Sequence, residues 1–368
     1  SHSKATSPTM STSSAADPAP PVDASGIGDG SGTKCLSHSY STVDSDGASE
    51  SRVESLSAVL KDEVGSEKLV EAICALGEAT AHIALLLQNY VEHTFAGTQN
   101  TSGDEQLHLD IDCDNAVFAA VRSSGVFSVA ASEETPTETA VGRPDDNAGA
   151  DDVTFSLGFD PLDGSSIIDA NFSVGSIYGI WPGKGLLGRR GREQVASAVA
   201  LYGPRTTLCI ALPGSSPKVL EVTLVKNRTK WELSRDSIQL KPAGKVFAPG
   251  NLRASNDNAK YAALINHWIE ERYTLRYSGG MVPDVYHMFA KSKGVFSNVS
   301  SEKARAKLRL LYEVAPIGLI VECAGGMTTH EAHDGSVLDE VIDDLDRRLG
   351  VCFGSREEVE KYKRFMLK

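Results

Sequence analysis

The sequence has no closely spaced cysteine pair: Cys35, Cys74, Cys113, Cys209, Cys323 and Cys352 are scattered along the chain, and none forms a Cys-x-x-Cys. That speaks against a zinc site and against a disulfide framework, so a reducing compartment fits best. No run of about 18 apolar residues occurs, which leaves no expected membrane span. Positive charge is scarce: Lys and Arg number 36 against 49 Asp and Glu, a formal net charge of −13. A chain this acidic lacks the general basic face that nucleic acid requires. It can still take an anionic substrate where metal ions and a few Arg or Lys invert the charge locally. The first 50 residues have no Arg and few large apolar side chains, and they hold Asp17, Asp23, Asp29, Asp44, Asp46 and Glu50 against Lys4 and Lys34. Such a segment buries too little surface to offset its ordering entropy and reads as disordered. Its acidity argues against an organelle transit peptide; the expected location is cytoplasmic, with a plastid as the alternative.

What is present is ordinary for a globular protein: 368 residues, 41% hydrophobic and 23% charged, enough for one large domain or two. The expected organisation is a disordered extension over 1–52, an α/β subdomain over 53–240 and another over 241–368. Leu56, Val59, Leu60, Val64, Leu69, Val70, Ile73, Leu76 and Leu85 recur at helical spacing, with Gly65 between two helices and order beginning near Ser55. Residues 96–103 read as a loop. A helical pattern over 114–121 precedes a short apolar strand, 126–131, which runs into Ser132-Glu133-Glu134. After a polar loop over 135–152, Val153, Phe155, Leu157 and Phe159 alternate with Thr154, Ser156 and Gly158, the pattern of a half-buried strand that ends at Asp160. Further strands are expected at 174–181, 206–212 and 219–225, and helices at 256–271 and 317–324. Strands interleaved with helices imply an α/β or α+β layered fold.

Acidic residues stand where these elements end. Glu133 and Glu134 close one strand; Asp160 closes the next, and Asp163 follows after Pro161-Leu162. Magnesium takes hard oxygen ligands, one or two carboxylates with water and substrate phosphate, and paired metals can clamp both oxygens of a phosphoryl transfer. In Asp160-Pro161-Leu162-Asp163-Gly164, proline sets the turn and glycine permits close approach, while Ser165 and Ser166 offer hydroxyls and N–H groups to a phosphate. Alone, a Glu-Glu pair is most often a solvated surface and Asp-x-x-Asp-Gly most often a turn. Two such features, each at the end of an apolar strand, are less easily dismissed, and on spacing alone a metal site and a pair of solvated turns both stay open.

Around Asp160–Ser166 the sequence resembles the fructose-1,6-bisphosphatase and sedoheptulose-1,7-bisphosphatase family of magnesium-dependent, lithium-sensitive phosphatases. The resemblance runs from about residue 55 to the C-terminus. It takes in Gly103-Asp104-Glu105-Gln106 with Leu109-Asp110, Ser132-Glu133-Glu134 and Phe159 through Ser166. It continues through Leu275-Arg276-Tyr277-Ser278-Gly279-Gly280-Met281-Val282 and Lys307-Leu308-Arg309-Leu310-Leu311-Tyr312-Glu313, and closes with Ala324-Gly325-Gly326-Met327. It implies α-β-α-β-α layers and a sugar-bisphosphate phosphatase with two or three magnesium ions per site, manganese being the alternative ion. Glu133, Glu134, Asp160, Asp163 and Glu313 match the metal-binding carboxylates, with the Leu162 carbonyl as a further ligand. Asp110, together with Glu134, matches the group that activates the attacking water. Asp104 matches the acid at the edge of a loop that closes over the site. Asp163, Gly164, Ser165 and Ser166 match the cradle of the departing phosphate. Lys307 and Arg309 match sugar and phosphate contacts, although Arg309 could instead pair structurally with a carboxylate. Asn251, Arg276, Tyr277 and Gly279 match the grip on the distal phosphate. In the family that arginine reaches from a neighbouring subunit, which implies a homodimer or homotetramer.

Within the family, Gly279-Gly280-Met281 resembles the sedoheptulose enzymes, where fructose enzymes typically carry Gly-Ser-Met. Thr154 and Phe155 stand where many fructose enzymes place the Lys-Tyr pair of an AMP site. Sedoheptulose 1,7-bisphosphate is therefore the expected substrate and fructose 1,6-bisphosphate the alternative. Plastid relatives carry two cysteines just before Gly-Asp-Glu-Gln; here the loop reads Phe95-Ala96-Gly97-Thr98-Gln99-Asn100-Thr101-Ser102, so light-type redox control is not expected.

Overall fold

Helix α1 (Asp46–Leu60) begins some nine residues before the expected start of order. Leu56 and Leu60 anchor it in the core, and polar contacts hold its first turns: Ser49 donates to Glu78, and the buried Arg52 pairs with Glu78 and donates to the Arg228 carbonyl. The computed structural model describes residues 46–90, 95–99, 105–142 and 154–368, of which 95–99 and 105–107 are described by their backbone alone. Residues 44–368 form one compact unit. Helix α2 (Glu67–Gln88) is capped by Ser66, whose hydroxyl accepts the Leu69 N–H, satisfying a donor that a helix start leaves open. By length and composition α2 could cross a membrane; in the fold its apolar face is a core face, packed on α3 (His108–Ser124).

Strands β1 (Phe95–Gln99) and β2 (Glu105–Leu107) make a small antiparallel ladder. The main sheet follows: β3 (Phe127–Ser132), β4 (Thr139–Ala140), β5 (Phe155–Asp163), β6 (Val174–Pro182), β7 (Ala196–Tyr202), β8 (Thr206–Leu212), β9 (Lys218–Val225) and β10 (Lys230–Arg235), in the order β10-β9-β8-β7-β6-β5-β3-β4. All neighbours are antiparallel except β3 and β5. A second sheet, in the order β12-β11-β13-β15-β14, is built from β11 (Val246–Pro249), β12 (Thr274–Leu275), β13 (Val295–Asn298), β14 (Met327–His330) and β15 (Val351–Gly354). Its helices are α4 (Ala259–Glu270), α5 (Met281–Lys291), α6 (Ala315–Cys323) and α7 (Arg356–Met366).

Three apolar cores define the layers. One lies between α1–α3 and the first sheet, one joins that sheet to α5, α6 and the second sheet, and one lies under α4 and α7. The result is the expected α-β-α-β-α stack. It corrects the reading of β5 as half-buried: every residue of this strand is buried. Helices cover both faces of the sheet at that point, so Ser156 and Gly158 on the second face meet protein where the alternation predicted water. Helix α5 escapes the pattern because Pro283 interrupts its sequence; within the first turn a proline removes no helical hydrogen bond.

Candidate active site

The parallel pairing of β3 with β5 brings the first carboxylates together. Ser132 stands opposite Phe159, and the Glu133 N–H donates to the Phe159 carbonyl at 3.1 Å. Two adjacent parallel strands end at the same edge of the sheet, so Glu133 and Asp160 leave their strands side by side. Beyond Asp160 the ladder with β6 is irregular: Asp160 faces Ile177 and Asp163 faces Gly175, three steps on β5 against two on β6. This bulge contains Pro161, which cannot donate to a ladder. The Asp160 carboxylate accepts the Leu162 N–H at 2.9 Å and the Pro161 carbonyl accepts the Ser176 hydroxyl at 2.7 Å. Gly164 then turns the chain at φ +87° into a short 3₁₀ segment, Ser165–Ala170, a conformation that side chains with a Cβ resist.

The third carboxylate comes from far along the sequence. Residues Leu310–Val314 form a π-helical turn, and the Glu313 side chain folds back to accept the Arg309 N–H at 2.6 Å. Single π-turns are frequent at functional sites. Glu133, Asp160 and Glu313 each present an oxygen within 4.8 Å of the other two. Glu134 and Asp163 have no oxygen in that group. Glu134 is half-buried beside it. Asp163 accepts the Met281 and Val282 N–H groups at 3.2 and 2.6 Å, at the start of α5. Gly175 makes this approach possible: a Cβ there would lie 2.3 Å from Val282, so a side chain would push α5 off the sheet. Each Asp163 oxygen keeps a lone pair for a further ligand.

The electrostatics are those of a cation site. Burial, then the Glu133 charge, push Asp160 and Glu313 well above the ordinary carboxylate range. Burial lifts Asp163 to about 7, against the opposing pull of the two α5 amides. Arg309 is buried beside this cluster; its guanidinium bonds Glu133 and, through Nε at 2.8 Å, Asp346. The excess negative charge and the all-oxygen donor set fit a hard divalent cation, and suit a thiolate- or imidazole-seeking metal poorly. In metal-free protein this excess opposes folding. The folded state keeps a proton on Asp163 between about pH 4 and 7 that the unfolded chain gives up, so stability falls as pH rises through that window. In EDTA the melting temperature is expected to drop by a few degrees between pH 5.5 and 8, and Asp163→Asn to flatten the drop, as differential scanning fluorimetry would read.

The remaining residues divide. Asp110 is buried in the first turn of α3; Asp104 lies outside the described residues. Gly164 and Ser165 are half-buried, and Ser166, Gly279 and Lys307 are exposed. Arg309 takes the structural pairing that was its alternative. Arg276 is exposed with its guanidinium on the Leu275 carbonyl at 2.8 Å, and the Tyr277 hydroxyl donates to the Gly250 carbonyl at 2.8 Å. Asn251 is buried behind this surface. Its amide donates to the carbonyls of Val299 at 2.9 Å and Ala304 at 3.0 Å, leaving a buried oxygen that can only accept. These two bonds tie Asn251 to the 299–304 segment. Three acids escaped notice or emphasis. Asp114, one turn after Asp110, is buried and accepts the Thr135 hydroxyl at 3.0 Å; the i, i+4 spacing was its signal. Asp284 accepts the Ser278 and Gly279 N–H groups and shapes that turn. Asp346 had no local signal.

Family models described as the N-terminal and C-terminal domains of fructose-1-6-bisphosphatase match residues 69–236 and 240–367. The chain is 44% identical to the chloroplastic sedoheptulose-1,7-bisphosphatase of Spinacia oleracea over 313 residues, 84% of this chain and 77% of that one. It is 35% identical to a class 1 fructose-1,6-bisphosphatase of Pelobacter propionicus over 310 residues, 83% and 91% of the two chains. A Toxoplasma gondii crystal structure, provisionally named a sedoheptulose-1,7 bisphosphatase, aligns with TM-score 0.77 and 36% identity over 85% of this chain and 98% of that one.

Proposed function

The chain belongs to the fructose-1,6-bisphosphatase family, and from that premise we propose that it hydrolyses the 1-phosphate of sedoheptulose 1,7-bisphosphate, giving sedoheptulose 7-phosphate and phosphate. Its class is that of a metal-dependent sugar bisphosphatase, a phosphoric monoester hydrolase. The observation that carries the reading is the convergence of Glu133, Asp160 and Glu313 within 4.8 Å. The seven-carbon substrate is supported by the Gly279-Gly280-Met281 motif and by the plant relatives.

Magnesium is the proposed ion, held by Glu133, Glu134, Asp160, the Leu162 carbonyl, Asp163 and Glu313; when bound it supplies charge neutralisation and a more acidic water. Asp110 and Glu134 orient the attacking water and take its proton on a carboxylate oxygen. Backbone N–H groups at Gly164–Ser166 and the two serine hydroxyls hold the phosphate in line. Lys307 screens the substrate charge from the edge of the site. The exposed side chains of Leu275, Arg276 and Tyr277 support a homodimer or larger assembly in which Arg276 reaches the neighbouring site. The chloroplastic relatives support the plastid alternative for its compartment. Metal-dependent phosphate release from the seven- and six-carbon bisphosphates, side by side with Glu134→Gln, tests the reading. A preference for the seven-carbon sugar, abolished in the variant, is expected. Preference for fructose 1,6-bisphosphate overturns the substrate; no metal-dependent release from either overturns the enzyme.

A further inference from the structure

Ser176 of β6 is fully buried and Tyr202 of β7 nearly so. A buried hydroxyl costs free energy unless it finds a partner, so the bonds these two make show what they hold. Ser176 stands opposite Ala200 and Tyr202 lies two residues further on, which puts both side chains on one face of the sheet. On its other side Ser176 sits between Ile177 and Gly175, the partners of Asp160 and Asp163. It is therefore the β6 residue that faces the bulge, where Pro161 and Leu162 have no partner in the register.

The Ser176 hydroxyl lies 2.7 Å from the Pro161 carbonyl and 2.8 Å from the Tyr202 hydroxyl. Counting protons fixes the direction of both bonds. A carbonyl can only accept, so the single Ser176 proton goes to Pro161, and Tyr202 must donate to Ser176. The Pro161 carbonyl and the Leu162 N–H belong to one peptide unit, and that N–H donates to the Asp160 carboxylate at 2.9 Å. Tyr202, Ser176, this peptide and Asp160 thus form a chain in which each group donates to the next. Each donation polarises the following group and strengthens its own bond. The chain ends on a carboxylate that lies with Glu133 and Glu313 in one cluster. A carboxylate is planar, so fixing one Asp160 oxygen also aims the other.

We infer that Ser176 and Tyr202 are positioning residues for the metal site: they clamp the Pro161–Leu162 peptide and through it aim the Asp160 carboxylate. The inference rests on the reading of Asp160 as a metal ligand. Neither hydroxyl touches the carboxylates, so losing one leaves the ligand set complete but loosely held. Metal affinity falls, while the KM for the sugar is spared once metal is saturating. Were Ser176 only a partner for a buried carbonyl, its loss would lower stability and leave metal affinity alone. Ser197 supplies the control: its hydroxyl is buried on β7 and has no hydrogen-bond partner among the described residues.

The test titrates magnesium into the full chain, freed of metal by EDTA and dialysed, and follows binding by calorimetry. Ser176→Ala is expected to weaken binding about tenfold or more, the scale for groups that orient a metal ligand. Tyr202→Phe keeps the ring and the bond from Ser176 to Pro161, and should weaken binding about threefold, the scale of one neutral hydrogen bond. Ser197→Ala should stay within about twofold of wild type. In phosphate release from sedoheptulose 1,7-bisphosphate, Ser176→Ala should raise the magnesium concentration for half-maximal rate by the same factor, with the sugar KM at saturating magnesium within about twofold of wild type. Melts in EDTA show which variants fold; if Ser176→Ala does not, Tyr202→Phe decides by the same comparison. Variants that bind magnesium as wild type does overturn the positioning role, as does a Ser197→Ala weakened as much as Ser176→Ala. A wild type that takes up no magnesium overturns the reading of Asp160 as a ligand, and the positioning role with it.

Discussion

Replacing Asp160 by Asn is expected to lower metal-dependent phosphate release by about a thousandfold, the loss of several kcal/mol of charge stabilisation at the reacting phosphate, while raising the melting temperature of metal-free protein. The two effects share one cause. Asp160 is buried among Glu133, Asp163 and Glu313, and every charge acting on it among those groups is negative. Its contribution to the fold is a hydrogen bond from Leu162, which the amide oxygen of Asn can also accept. The substitution therefore keeps the turn and removes the repulsion. Phosphate-release assays and thermal melts with and without magnesium test both arms. The wild type should gain several degrees from magnesium and Asp160→Asn little, since ligand stabilisation follows affinity. A variant that is active, or one whose metal-induced shift matches wild type, would show that Asp160 does not hold the ion.

Arg309→Met should destabilise metal-free protein by roughly 3 kcal/mol, the low end for removing one partner of a buried pair. Arg309 is 4% exposed, and its loss leaves Glu133 and Asp346 without their shared cation beside Glu313. Magnesium should recover part of the loss, because a bound cation neutralises Glu133 in the guanidinium's place. Arg309→Lys should restore little: one ammonium cannot serve two carboxylates on separate segments as a planar guanidinium does. Urea denaturation with and without magnesium measures this. An equal loss in both conditions would mean that Arg309 is coupled to packing and not to the metal cluster.

Both predictions rest on groups whose legibility in the sequence differed. Glu133 and Asp160 were visible because each ends an apolar strand, and a carboxylate after such a run is a local pattern. The Asp160–Ser166 turn was visible because Pro161 and Gly164 restrict the backbone wherever they occur. Asp104, by contrast, falls outside the described residues, and α5, α7 and most of the second sheet carry patterns too short or too interrupted to stand out.

The sequence by itself determined which residue types are available, where the strands that carry them end, and the family to which their order belongs. These are local properties, set by side-chain chemistry and backbone preference within a few residues. The tertiary structure alone decided that β3 and β5 are parallel neighbours, which makes Glu133 and Asp160 one site. It decided that a π-turn brings Glu313 to them from far along the chain, and that Arg309 spends its charge on Glu133 and Asp346. It also decided that Asn251 spends its donors on Val299 and Ala304. Each of these depends on which distant segments pack together, and packing obeys shape and burial summed over the whole chain; no window of sequence contains that sum.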